Sequence, residues 1–172
     1  MGNACHVYVL DITLFGVPRE SLEKGDNPRK LDYFGTKGSS SMDVEVYFPG
    51  NKRVFAKFGD FIVETDQPVK DGGDATAPTP FEMFIASIAT CAGVFVLEFL
   101  QNRGLPAEDA GVFLRAERNV ETHLVEVVRL LIKLPSGFPE RYRGAVVRAA
   151  EQCSVKRHLD NPPRFDISVE IA

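Results

Sequence analysis

Hydrophobic and polar positions follow three distinct patterns along this chain. The first is continuous. In Thr79 to Gln101, TPFEMFIASIATCAGVFVLEFLQ, fifteen residues between Glu82 and Glu98 carry no charge, and Cys91 sits near their middle. An amphipathic surface helix would break such a run every three or four positions, so this pattern predicts a helix apolar on all sides. A spanning helix needs about 20 apolar residues, and fifteen falls short. The expectation is therefore a central buried helix, with sheet on one side and other cover on the other. Thr79-Pro80 offers an N-cap hydroxyl followed by proline at the first helical position. Glu82 then complements the positive end of the helix dipole, and Gly104 with Pro106 marks the stop.

The second pattern is alternation. Val44, Val46 and Phe48 alternate with Asp43, Glu45 and Tyr47. Turns at Pro49-Gly50-Asn51 and Gly59-Asp60 separate this strand from Arg53–Phe58 and Phe61–Thr65, which gives an antiparallel meander. A polar loop, DQPVKDGGDATAP, leads to the central helix. Beyond it, Gly111–Glu117 and Thr122–Leu134 read as strands, and DISVEI (Asp166–Ile171) as a closing strand. The third pattern is helical. Tyr142, Ala145, Val146 and Ala149 recur at spacings of three and four within Pro139–Gln152, and a short turn follows through Leu159. Strands, helix, strands, helix, strand make an α+β domain with helices on a mostly antiparallel sheet. Residues 6–15, HVYVLDITLF, suit a strand, whereas 16–41 read as an extended loop or arm. The first 41 residues are thus an N-terminal extension, packed on a partner subunit or lying upstream of a true start at Met42, and 42–172 form the domain.

Composition narrows the function. A chain of 172 residues with 44% hydrophobic and 26% charged residues is ordinary for one globular domain. A net charge of −4 leaves no basic surplus for nucleic acid. The N-terminus lacks the basic and apolar regions of an export signal, so no export and no membrane is expected. Three cysteines, Cys5, Cys91 and Cys153, form no metal-like spacing and suit a reducing cytoplasm. His6, His123 and His158 lie too far apart in sequence to suggest zinc.

Chemistry rests on Cys91 and Cys153. A free cysteine in a buried helix is commonly a small hydrophobe, inert because burial raises its pKa. Two local details point the other way. Thr90-Cys91-Ala92-Gly93 surrounds the sulfur with small side chains. Cys153 opens a helical turn whose free N–H groups favour a thiolate, and Lys156, Arg157 and His158 follow closely. Lowering a thiol pKa by two units takes about 2.7 kcal/mol, within reach of a helix terminus and one cation.

The helix PTPFEMFIASIATC, the later AAEQCSVKRHL, the preceding hairpin and the GGDATAPTP loop together resemble the OsmC/Ohr family of osmotically inducible and organic hydroperoxide resistance proteins. The resemblance covers roughly Met42 to Ala172. It implies an OsmC-like fold in an intertwined homodimer with active sites at the subunit interface. It also implies a thiol peroxidase that reduces organic hydroperoxides at the expense of a thiol reductant, without metal or organic cofactor. Cys91 would be the peroxidatic cysteine, oxidised to a sulfenic acid, and Cys153 the resolving one. Cys5 receives no role.

Family peroxidases also place an arginine and a glutamate at the reactive sulfur. Their glutamate lies ten residues before the cysteine, where this chain has Phe81; Glu82 is one position later. Nine residues on a helix turn about 900° and rise about 13 Å, so Glu82 and Cys91 fall on opposite faces. Glu82 is then either a helix-end charge or part of a site completed by another chain or a distorted first turn. Arg53 is the arginine candidate, with a solvated turn residue as the plain alternative. Phe84, Ile85, Ile88 and Phe95 could line an acyl pocket, although core packing accounts for most of them. A non-catalytic dimer of the same fold, binding an apolar small molecule, is the competing reading.

Overall fold

The computed structural model describes residues 42–171. The strand and loop expected within residues 1–41, and Cys5 with them, lie outside the described residues. The meander forms as the alternation predicts: β1 (Glu45–Gly50), β2 (Arg53–Phe58) and β3 (Phe61–Thr65) pair antiparallel in that order. Val46, Ala56 and Val63 stand side by side across all three strands. A second antiparallel pair, β4 (Gly111–Arg118) and β5 (Val125–Lys133), aligns Val112 with Ile132 and Leu114 with Leu130. In sequence, α1 (Pro80–Gln101) falls between these two sheets, and α2 (Arg143–Ala150) and α3 (Ser154–Asp160) follow them. This is the expected mixture of helices with antiparallel sheet.

Both ends of α1 are fixed by the residues the sequence singled out. The Thr79 side chain accepts the Glu82 N–H at 3.2 Å, and Glu82 Oε2 accepts the Thr79 N–H at 2.7 Å, a reciprocal capping box. At the other end Gly104 adopts a left-handed φ of 60°. Its N–H reaches Gln101 C=O at 3.1 Å, and the Leu105 N–H reaches Leu100 C=O at 3.0 Å. These are the two bonds of a Schellman stop.

One face of α1 is covered within the chain. Ile88, Ala92, Val96, Phe99 and Leu100 are buried, and Ala92, Val96, Phe99 and Leu100 cluster with Val146, Ala150 and Cys153. Each large side chain so enclosed contributes about 1.5–3 kcal/mol. Other positions are open: Phe81 and Phe84 in the first turns, and Val94 and Leu97 on the side opposite Phe99, are exposed. All-round burial is therefore not achieved among the described residues. At 22 residues α1 is also long and apolar enough to cross a bilayer by length and composition, so counting uncharged residues understated it. Its role here is the central helix of the domain, packed on β4, α2 and α3.

Three expectations need correction. Among the described residues, the antiparallel sheet expected as one falls into separate groups of three and two strands. The helix expected over Pro139–Gln152 begins as a 3-10 turn at Glu140–Tyr142 and becomes regular only from Arg143 to Ala150. Asp166–Ile171 pairs with no strand among the described residues. Its alternation is real, but a strand exists by pairing. Here Ile167, Val169 and Ile171 are about nine-tenths exposed, at 90%, 90% and 93%.

Candidate active site

The loop that delivers the chain to α1 is built around Asp66, which is fully buried. Its carboxylate accepts the N–H groups of Gln67, Asp74 and Thr76 at 2.7, 3.2 and 3.0 Å, and the Thr76 hydroxyl at 2.8 Å. These bonds, led by that from the Thr76 N–H, hold its pKa below the ordinary aspartate value in spite of burial. The Asp66 N–H closes the base of the loop on Pro78 C=O at 3.2 Å. Gly73 lies so close to the Gln67 carbonyl that a Cβ would collide with it. The start of α1 is thereby held to the end of β3.

Cys91 lies half-buried on α1, and Cys153 is buried at the start of α3; both are free thiols. Cys153 is the N-cap of α3, and its sulfur accepts the Lys156 N–H at 3.4 Å. Its S–H reaches the Ile88 carbonyl at 3.9 Å, one helical turn before Cys91. The two thiols interact directly, with opposite consequences. Burial pushes the Cys91 thiol up, but the Val155 N–H, the Cys153 thiol and the Ser154 N–H outweigh it, and its pKa falls below the ordinary thiol value. Cys153 is pushed up, first by burial, with the neighbouring Cys91 adding to it against the Lys156 N–H. The sequence assigned the free N–H groups of this turn to Cys153. The structure directs those of Ser154 and Val155 at Cys91 instead, so the thiolate is favoured at Cys91 rather than at Cys153.

The other two expected residues are not gathered here. Arg53 starts β2, and its Nε donates to Gly50 C=O across the first turn at 3.4 Å. Glu82 completes the helix cap. The Thr79 N–H, its hydroxyl and the Arg118 charge hold the Glu82 carboxyl below its ordinary pKa. Neither residue contributes to the Cys91 environment within one chain. Arg118 escaped the sequence reading. Its guanidinium lies 4.4 Å from the Phe81 ring centroid, beside an open cleft of about 380 Å³ between α1 and β4 that includes Ile85, Ala89 and Leu114. The alternation Leu114, Ala116, Arg118 along β4 carried that signal. Of the proposed acyl-pocket residues, Ile88 is core and Phe84 is exposed. A larger cleft of about 800 Å³ lies between β5 and α2, with Leu130, Ile132, Leu134 and Val146 along it and Lys156 among its lining residues. Among the described residues, no group of three His, Cys, Asp or Glu side chains could hold a metal ion.

The OsmC-like protein family model matches residues 72–168, which include both cysteines, α1 and the α3 turn. The chain belongs to the OsmC-like family. No curated protein matches it in sequence. Among solved structures, this OsmC-like chain is similar to a protein of Psychrobacter arcticus 273-4 named for osmotic stress induction and a detoxification response. That likeness has a TM-score of 0.59 at 17% identity and covers 72% of this chain and 90% of the other. A hypothetical protein of Aquifex aeolicus VF5 matches with a TM-score of 0.53 at 18% identity, over 72% of this chain and 90% of its own. At these identities the likeness establishes the fold.

Proposed function

We propose that this OsmC-like protein is a thiol peroxidase that reduces organic hydroperoxides, with Cys91 as the attacking sulfur and Cys153 as the resolving one. The observation that carries the reading is the asymmetric pair: an accessible Cys91 with a lowered pKa touching a buried Cys153 with a raised one. A merely structural pair has no need of that asymmetry. In the reaction the Cys91 thiolate attacks the distal oxygen of ROOH. The O–O bond breaks, RO⁻ takes a proton and leaves as ROH, and Cys91 becomes a sulfenic acid. The Cys153 sulfur then displaces the hydroxyl as water and forms the disulfide. Two equivalents of an external thiol return both cysteines to the reduced state. Neither step calls on a metal or an organic cofactor.

A homodimer is part of this reading. A second copy would cover the open face of α1 and the apolar residues Val46, Phe48 and Phe61 exposed on the meander, and would offer an edge to the unpaired Asp166–Ile171. Arg53 and Glu82 would then reach the sulfur of the partner subunit rather than their own, Arg53 orienting the peroxide through its guanidinium. Residues 1–41 form an extension to the domain at 42–172, and a cytoplasmic location suits free thiols.

The competing reading is a dimer of this fold that binds an apolar small molecule without chemistry. It is favoured by the absence of Arg53 and Glu82 from the cysteine site of one chain and by the cleft of about 800 Å³ with its row of aliphatic side chains. Turnover separates the two. With cumene hydroperoxide and a dithiol, the peroxidase consumes one peroxide per dithiol oxidised, at a rate proportional to protein. A binding protein leaves the dithiol at its background rate.

A further inference from the structure

The cleft of about 380 Å³ between α1 and β4 includes neither Cys91 nor Cys153, so the thiol chemistry does not account for it. It is hollow because Ala86 and Ala89 on α1 meet Ala116 on β4, where larger side chains would close helix onto strand. Beside it the Arg118 guanidinium lies 4.4 Å from the Phe81 ring centroid. That contact occupies the face of the guanidinium and leaves its N–H edges free. The carboxylates around Arg118 have other donors. Glu82, in the same cleft, is held by the N–H and hydroxyl of Thr79 at 2.7 and 2.9 Å. Glu117, the residue before Arg118, pairs with Arg129 at 2.8 Å. Glu126 follows Val125, which faces Arg118 across the strand pair, and it accepts from Asn119 at 2.7 Å. Among the described residues the ion pairs are Arg129–Glu117 and Arg143–Glu140, and Arg118 belongs to neither.

We propose that this cleft binds a small apolar carboxylic acid in its ionised form, the carboxylate paired with Arg118 and the hydrocarbon lying against the three alanines. A guanidinium whose face is held by an aromatic ring presents its N–H fork to one planar anion, and a carboxylate matches that fork with two parallel bonds. An apolar hollow directly beside the fork then takes the rest of the molecule. At roughly 30 Å³ for each non-hydrogen atom, the volume suits a ligand of about a dozen such atoms. Glu82 opposes an anion in this cleft. Its charge is already met by Thr79 and by the positive end of α1, whereas the N–H groups of Arg118 have no such partner. The two charges therefore act on the ligand with opposite sign, and that opposition makes the site testable.

Titration of the full chain with sodium octanoate, followed by the amide chemical shifts of α1 and β4, tests this without any thiol chemistry. Octanoate should give saturable shifts at Ala116 and Arg118, and each methylene removed from the chain should weaken binding about fourfold. Octanol, which lacks the charge, should bind about tenfold more weakly. Arg118→Gln should weaken octanoate by a similar factor and bring it level with the alcohol. Glu82→Gln keeps a capping-box residue and should tighten octanoate, a gain that a misfolded variant does not give. Ala116→Leu fills the hollow and should remove binding while the circular dichroism spectrum is unchanged. Absence of a saturable shift would overturn the proposal, as would octanoate binding that neither Arg118→Gln nor Ala116→Leu weakens. Dissociation of a dimer by Ala116→Leu, with no octanoate bound by the wild type, would assign the cleft to a second copy and overturn it too. Octanoate bound at Arg118 in a protein that turns over no hydroperoxide would uphold the site and remove only the peroxidase reading.

Discussion

Cys91 and Cys153 differ less in identity than in what surrounds each sulfur. The N–H groups of Ser154 and Val155 stabilise negative charge on one, while burial opposes it on the other. The lowered Cys91 pKa means its thiolate fraction rises at lower pH than that of an ordinary thiol. Alkylation by iodoacetamide, followed by mass spectrometry across a pH series, should reach half its maximal rate at lower pH than an ordinary thiol at Cys91 and at higher pH than one at Cys153. Reversed order would remove the basis for the assigned roles. The substitutions should be equally asymmetric. Cys91→Ser should abolish peroxide consumption, because a hydroxyl is too weakly acidic to replace a thiolate. Cys153→Ser should keep the first oxidation but let Cys91 proceed to sulfinic acid under excess peroxide, seen as a gain of two oxygens. Similar modest losses in both variants would indicate a structural pair.

At the scale of elements, α1 and the loop before it carry the most information. The caps of α1 were legible because Thr79, Pro80, Glu82 and Gly104 act locally, through bonds within a few residues. The loop was legible only as polar, since the burial of Asp66 depends on how residues 66–76 fold back on it. Asp66→Asn deprives the Gln67, Asp74 and Thr76 N–H groups of a charged acceptor and should lower the unfolding temperature at neutral pH. The sign with pH follows from a depressed carboxylate. Its contribution is complete above the ordinary aspartate range and is lost as pH falls through the lower folded value. The gap between wild type and Asp66→Asn should therefore narrow in acid, read by thermal denaturation at stepped pH; a gap constant with pH would deny the carboxylate its role. The end of the chain illustrates the opposite case. The alternation of Asp166–Ile171 is plain in the sequence, but no local rule says which edge it pairs with, and among the described residues it pairs with none.

The whole molecule shows the same division. The α+β class and the meander followed from pattern and resemblance, whereas the meeting of the two cysteine turns depends on the fold and the surroundings of Arg53 and Glu82 depend on assembly. The open side of α1, the exposed apolar side chains on the meander and the unpaired C-terminal segment all belong to one chain. Covering them together would bury an interface of about 2,000 Å² or more, the size of an obligate homodimer. Sedimentation at micromolar concentration should give a dimer that does not dissociate on dilution, and a stable, fully folded monomer would leave those surfaces without explanation. The central claim concerns the sulfurs. Its most direct test is intact and peptide mass spectrometry after one equivalent of an organic hydroperoxide. The account predicts a single intramolecular disulfide joining Cys91 to Cys153, with no free thiol at either position. A Cys91 that remains reduced, at peroxide levels sufficient to oxidise a free thiol, would contradict it.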